Sequence, residues 1–159
     1  MQGTEQIRLR PLRSADLERL FTLELRPDGE AWLAKQERGE RFVAVAEADG
    51  VPVGQAGLDL VRYERERIAY VFGVGVTPEW RSRGIGAKLQ THLEQIAVAR
   101  GFRALRCHVA KHNTRALSWY ERLGYRQIGE GVIRWTEGGV RVVEADCWEL
   151  ERLLDHEAA

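Results

Sequence analysis

Residues 68–76 read Ile-Ala-Tyr-Val-Phe-Gly-Val-Gly-Val, an apolar run too short to span a bilayer and suited to a strand buried on both faces. Thr77-Pro78 ends it. The basic, glycine-bearing stretch Arg81-Ser82-Arg83-Gly84-Ile85-Gly86-Ala87 follows, and Ile85, Leu89, Leu93, Ile96 and Ala97 then recur at helical spacing until Gly101 supplies a stop. Strand, loop and helix are joined without a linker. Such a unit confines the chain to a layered α/β architecture, because the strand needs cover on both faces and the helix has an apolar stripe to bury.

The loop also carries chemistry. Gly84 and Gly86 have no Cβ, so backbone can approach a ligand there, and the opening helix presents unpaired N–H groups at the positive end of its dipole. Arg81 and Arg83 add charge beside those donors. The junction is built to hold phosphate. A P-loop would need Gly-x-x-x-x-Gly-Lys-Ser/Thr, and no glycine here is followed by Lys and then Ser or Thr. A dinucleotide fingerprint would need Gly-x-Gly-x-x-Gly, whereas the order here is Arg-x-x-Gly-x-Gly.

Alternation of Ile7 and Leu9 with arginines marks a first strand over Gln6 to Leu12. Ser14 is the expected N-cap of a helix carrying Leu17, Leu20, Phe21 and Leu25; a second helix after Pro27-Asp28 carries Trp32 and Leu33 and ends near Gly39. Arg41 to Ala48 and Val51 to Val61 flank Asp49-Gly50, a dipeptide suited to a type I′ hairpin turn. After Gly101 come a strand over Phe102 to Ala110 and a helix over Asn113 to Leu123. A hairpin of Tyr125 to Trp135 and Val140 to Leu150 then closes around Glu137-Gly138-Gly139. No repeat, low-complexity tract or linker divides the chain, so its 159 residues are expected to form a single domain, 1–159.

Composition narrows the partners. Lys plus Arg and Asp plus Glu are both 24, a formal net charge of +0, which removes the usual electrostatic case for nucleic acid or an anionic membrane. Cys107 and Cys147 lack Cys-x-x-Cys spacing, so neither a disulfide framework nor a zinc site is indicated, and no metal is expected. The first residues lack the basic and apolar regions of a signal peptide, and a cytoplasmic location is expected.

Two motifs carry a family resemblance. Arg81, Gly84 and Gly86 fit Gln/Arg-x-x-Gly-x-Gly/Ala. Asn113, Ala116, Tyr120, Gly124 and Tyr125 fit Asn-x-x-Ala-x-x-x-Tyr-x-x-x-Gly-Phe/Tyr at every fixed position. With both motifs in this element order, the chain resembles the GNAT superfamily of N-acyltransferases over nearly its whole length. The resemblance implies the GNAT fold, a mixed and mostly antiparallel sheet of six to seven strands with helices on both faces. It also implies transfer of an acetyl group from acetyl-CoA to an amine acceptor by direct attack in a ternary complex. The cofactor residues it implies are Val74 and Val76 through backbone groups, Arg81, Arg83, Gly84, Ile85, Gly86 and Ala87 in the phosphate loop, and Asn113 and Tyr120. The Val76 N–H would polarise the thioester carbonyl, and Tyr120 would hydrogen-bond or protonate the departing thiolate.

Read from the residues alone, Val74 and Val76 are also ordinary core, Tyr120 shares a helical face with Leu117 and Leu123, and Asn113 suits an N-cap. The general base is less legible. An amine with a pKa near 10.4 is neutral in only a small fraction at pH 7, a handicap of about 4.6 kcal/mol that a base must help remove. Many family members place a glutamate three residues before the position of Val76, and here that residue is Gly73. His108, on the strand expected beside the 68–76 strand, is the candidate in its place, ahead of Tyr70, Glu66 and His112. The absent glutamate also leaves open an acyl-CoA-binding sensor without catalysis. The run Glu64-Arg65-Glu66-Arg67 reads as a solvated turn, its mixed sign selecting no acceptor class. The resemblance further suggests a homodimer through the hairpin from Tyr125 to Leu150.

Overall fold

Asp49 and Gly50 take φ values of 50° and 80°, the two left-handed conformations a type I′ turn requires, and so fold residues 41–48 back on 51–63. The computed structural model describes residues 6–20, 26–137 and 141–154. In chain order its strands are Ile7–Pro11 (β1), Arg41–Ala48 (β2), Val51–Tyr63 (β3), Ile68–Val76 (β4), Ala104–Ala110 (β5), Arg126–Glu137 (β6) and Arg141–Leu153 (β7). Its helices are Leu17–Leu20 (α1), Arg26–Glu37 (α2), Ile85–Ala99 (α3) and Thr114–Arg122 (α4). The strands form one seven-stranded sheet in the order β1-β2-β3-β4-β5-β7-β6, antiparallel throughout except where β4 meets β5.

Strand β2 shows how the sheet is covered. Val43 and Val45 face one side, where they pack with Leu12, Leu17 and Trp32 of the α1–α2 layer. Ala44, Ala46 and Ala48 face the other, in the larger cluster with Ile85, Leu89 and Leu93 of α3. Small side chains of β2 lie under α3, and the larger valines pack the opposite face. Helices therefore lie on both faces, as the element order predicts. A Schellman arrangement ends α3: Gly101 takes φ 84°, and the Phe102 N–H bonds the Ala97 carbonyl at 3.0 Å.

Three expectations need amendment. Strand β4 is buried only in its first half; from Phe72 to Val76 it is partly open, because β5 pairs with it over Ile68–Tyr70 alone and then diverges. The first helix begins in a short 3-10 turn, Ser14–Asp16, capped at Arg13, whose N–H is bonded at 2.8 Å by the Asp16 carboxylate and not by Ser14. Asp16 is buried and bidentate with Arg10 of β1 at 2.7 Å, so the charged pair fixes the turn and outcompetes a serine cap. The 64–67 run is an exposed turn as expected, but not a free one: the Arg103 Nε donates to the Glu66 carbonyl and Arg67 donates to the Gly101 carbonyl. Phe21, Leu25 and Gly138-Gly139 lie outside the described residues. Among the described residues no helix is long and apolar enough to cross a membrane.

Candidate active site

The 81–87 loop forms as its residues require. Pro78–Trp80 makes a 3-10 turn, Ser82 and Gly84 take φ of 63° and 82°, and α3 starts at Ile85. A Cβ added at Gly84 would meet nothing within 4 Å, so its left-handed φ, and not crowding, is what calls for glycine. At Gly86 a Cβ would stand 3.0 Å from the Trp119 ring, so this glycine lets α4 close against the start of α3. The first intrahelical bond is Lys88 N–H to the Gly84 carbonyl, which leaves the N–H groups of Ile85, Gly86 and Ala87 without an intrahelical acceptor.

These groups border a cleft of about 560 Å³ between the end of β4, the loop and α4. Val74, Val76, Arg81, Gly84, Ile85, Gly86, Ala87 and Asn113 all line it. Arg83 does not; its guanidinium lies 4.7 Å over the Trp80 ring. Arg115 and Arg122 of α4 do line it, and the sequence reading passed over both; their spacing of seven, two helical turns, was the available signal. The cleft is thus ringed by cations from two elements.

Its inner wall is an unpaired strand edge. Thr77 N–H bonds the Val53 carbonyl at 2.8 Å, so by the alternation of an antiparallel ladder the N–H and C=O of Val76 point the other way, toward the gap between β4 and β5. The Arg81 Nε donates to that Val76 carbonyl at 3.1 Å. Val74, two residues back, follows a bulge in which Gly73 takes φ 62° and β4 has one residue more than β3 between the pairs Gln55↔Gly75 and Gly57↔Phe72. Trp32 occupies the space over Gly73: a Cβ there would lie 2.4 Å from the Trp32 ring. The position where a family glutamate would stand is filled by an indole.

Tyr120 of α4 does not line the cleft; it packs against the main core, its ring edge-on to Trp119 at 4.9 Å and to Tyr125 at 5.1 Å. Its hydroxyl has no hydrogen-bond partner among the described residues. Burial pushes the phenol far up, with smaller contributions from Cys107 and Tyr70, so it holds its proton and can donate. Asn113 caps α4, its Oδ1 accepting from the Ala116 N–H at 3.1 Å.

His108 sits on the opposite face of the sheet from α3 and α4, just past the last β4–β5 pair. Its Nδ1 is 2.8 Å from the Tyr70 hydroxyl, and its Nε2 is 3.9 Å from the Glu149 carboxylate. Burial lowers the imidazole's pKa, and the Arg62 guanidinium, 4.2 Å over the Tyr70 ring, lowers it further. Burial raises the Tyr70 phenol to about 12. His112 is exposed, and Glu66 is 53% exposed and 3.5 Å from Arg106. Neither shares this environment. Among the described residues no cluster of His, Cys, Asp and Glu is placed to hold a metal.

The sequence model of the acetyltransferase (GNAT) family matches residues 7–125. The chain belongs to the GNAT acetyltransferase family. An uncharacterized N-acetyltransferase of Methanocaldococcus jannaschii is 32% identical over 108 residues, 65% of this chain and 47% of that one. The chain thus spans about half the length of this curated relative. Two solved GNAT-like structures share the fold. The ribosomal-protein-S18-alanine N-acetyltransferase of Escherichia coli superimposes with a TM-score of 0.73 at 19% identity, over 97% of this chain and 99% of that one. The spermidine/spermine N-acetyltransferase of Vibrio cholerae does so at 0.70 and 20% identity, over 93% and 92%.

Proposed function

We propose that this GNAT chain transfers an acetyl group from acetyl-CoA to an amine. The observation that carries the reading is one cleft joining the loop donors and arginines to the open edge of β4. The residues fit the cofactor. The three free N–H groups of α3, with Arg81, Arg115 and Arg122, would hold its phosphates, and the Val74 and Val76 edge would pair with its amide-bearing arm as an added strand. When bound, the thioester supplies an activated acyl carbon and a sulfur leaving group.

The chain's own groups suit direct attack. The Val76 N–H, aimed into the gap, is the oxyanion donor. Arg81 holds the carbonyl of the following peptide, Val76–Thr77, and so steadies the end of β4 beside that donor. Tyr120, a phenol that keeps its proton, donates a hydrogen bond to the departing sulfur. An acyl-cysteine route is disfavoured, because Cys107 is buried and burial pushes its thiol up. His108, just past the last β4–β5 pair, is the candidate base, and burial lowers its pKa so that it is neutral at physiological pH. The acceptor class is not set by the fold, since protein-alanine and polyamine acetyltransferases superimpose on this chain about equally well.

The test is release of free thiol across a panel of amines. Tyr120→Phe should lower turnover about 100-fold while leaving CoA affinity within about twofold. Gly84→Glu should abolish CoA binding by placing a carboxylate among the phosphate donors. Saturable CoA binding without turnover on any amine would favour the sensor reading, which the indole over Gly73 motivates. The family resemblance suggests a second copy on the β6–β7 hairpin, where Ile128, Val132 and Val142 are exposed. Light scattering coupled to size exclusion measures that stoichiometry.

A further inference from the structure

The row of residues crossing the sheet at the foot of the β4–β5 gap is Arg41, Asp59, Tyr70, Arg106 and Glu151, each opposite the next in register. Four of the five are charged. Within them Arg41 faces Asp59 at 3.7 Å and Arg106 faces Glu151 at 2.8 Å, which leaves the Tyr70 hydroxyl as the neutral member. It turns to the next row, onto His108, and His108 in turn stands opposite Glu149. The three groups make a line from the gap into β7.

We infer that Tyr70 is the catalytic residue that takes the proton from the acceptor amine, and that His108 acts through it as the proton sink. The inference rests on the acetyl-transfer reading above. The direction of the hydrogen bond follows from what faces each side of the ring. The Glu149 carboxylate stands at 3.9 Å from Nε2 and favours the imidazole proton there, so Nδ1 keeps its lone pair and accepts from the Tyr70 O–H, a phenol that at about 12 holds its proton. In this tautomer neither nitrogen of His108 offers a free lone pair to a substrate. A base that cannot be reached directly can still be reached through the phenol.

Protons and electrons balance in one concerted passage. As the amine nitrogen bonds the acyl carbon its N–H becomes acidic; that proton moves to Tyr70 Oη while the original Tyr70 proton moves to His108 Nδ1. The C–S bond breaks with its electron pair on sulfur. The imidazolium so formed faces the Glu149 carboxylate at 3.9 Å, near enough for charge and too far for a direct hydrogen bond. Glu149 is also 3.4 Å from Arg106, which moderates its pull. From β3, Arg62 and Tyr63 flank the Tyr70 ring, Arg62 opposing the imidazolium. Cys107 and Tyr120 lie on the other face of the sheet, in the core under α3, and both keep their protons. The net field favours neutral His108, so the relay is armed at neutral pH and is lost as pH falls through a His108 pKa below 6.5.

Two readouts test this. In the ligand-free protein, nitrogen-15 spectra of the His108 ring should show Nε2 protonated and Nδ1 accepting, with titration below pH 6.5; Tyr70→Phe should release the Nδ1–H tautomer. An Nδ1–H tautomer in the wild type overturns the relay. In turnover, Tyr70→Phe and His108→Gln should each lower kcat by about 10- to 100-fold with KM for acetyl-CoA unchanged, and the double variant should be no slower than either alone. Both should lose the acidic limb of the pH profile. Turnover and pH limb left intact by Tyr70→Phe overturn the relay alone; absence of turnover in the wild type with every amine overturns the transfer reading and the relay with it.

Discussion

At the scale of the residue, Gly73 stands where the family resemblance leads one to expect a glutamate, and its surroundings say why it is not simply a missing carboxylate. Its φ of 62° belongs to the left-handed region, and the Trp32 ring fills the place of a side chain. The Gln55 amide donates to the Gly73 carbonyl at 3.1 Å from a buried position, tying the bulge to β3. Installing the family residue should therefore unsettle the site and not repair it. Gly73→Glu is expected to lose about 2–4 kcal/mol of stability through backbone strain and overpacking, read as a lower urea midpoint, with no gain in turnover. The sequence showed that a glycine stood there but not what stood over it. Trp32 lies 41 residues away, and nothing in its helical spacing points it at a bulge in β4 rather than at β2.

At the scale of the element, α4 serves two masters. Asn113 satisfies an orphan N–H at the helix start and also lines the cleft. The two roles separate by substitution. Asn113→Ala should cost about 1 kcal/mol of stability by losing the cap. Asn113→Asp keeps an acceptor oxygen and should hold the urea midpoint near that of the wild type, yet weaken CoA binding several-fold by placing an anion in a cleft ringed by arginines. The cap, the hairpin turn at Asp49-Gly50 and the stop at Gly101 were all legible, because each depends on a few adjacent residues and the dihedrals they accept. The cap on the first helix was not. Ser14 had the right chemistry, but Asp16 was fixed by Arg10 of β1, which a local window does not weigh against a neighbouring strand.

At the scale of the molecule, the sheet is two blocks, β1–β4 and β5–β7–β6, joined by a short parallel seam over Ile68–Tyr70 and Ala104–Arg106. Above the seam one edge of β4 is unpaired. In hydrogen exchange the Val76 amide should exchange quickly in the ligand-free protein and become protected on CoA binding, while the amides of Leu105 and Cys107, within the paired stretch of β5 and β7, should change little. Equal protection of Val76 with and without CoA would remove the open edge from the binding site. The sequence by itself determined the element order, the phosphate loop and the family, because periodicity, turn chemistry and motif spacing are written in near neighbours along the chain. Only the tertiary structure decided that β4 and β5 part after Tyr70, that Trp32 fills the place over Gly73, and that Tyr70 meets His108 across 38 residues of chain. These depend on strand register and on which side chains meet across the sheet, and both are set by packing the whole core at once.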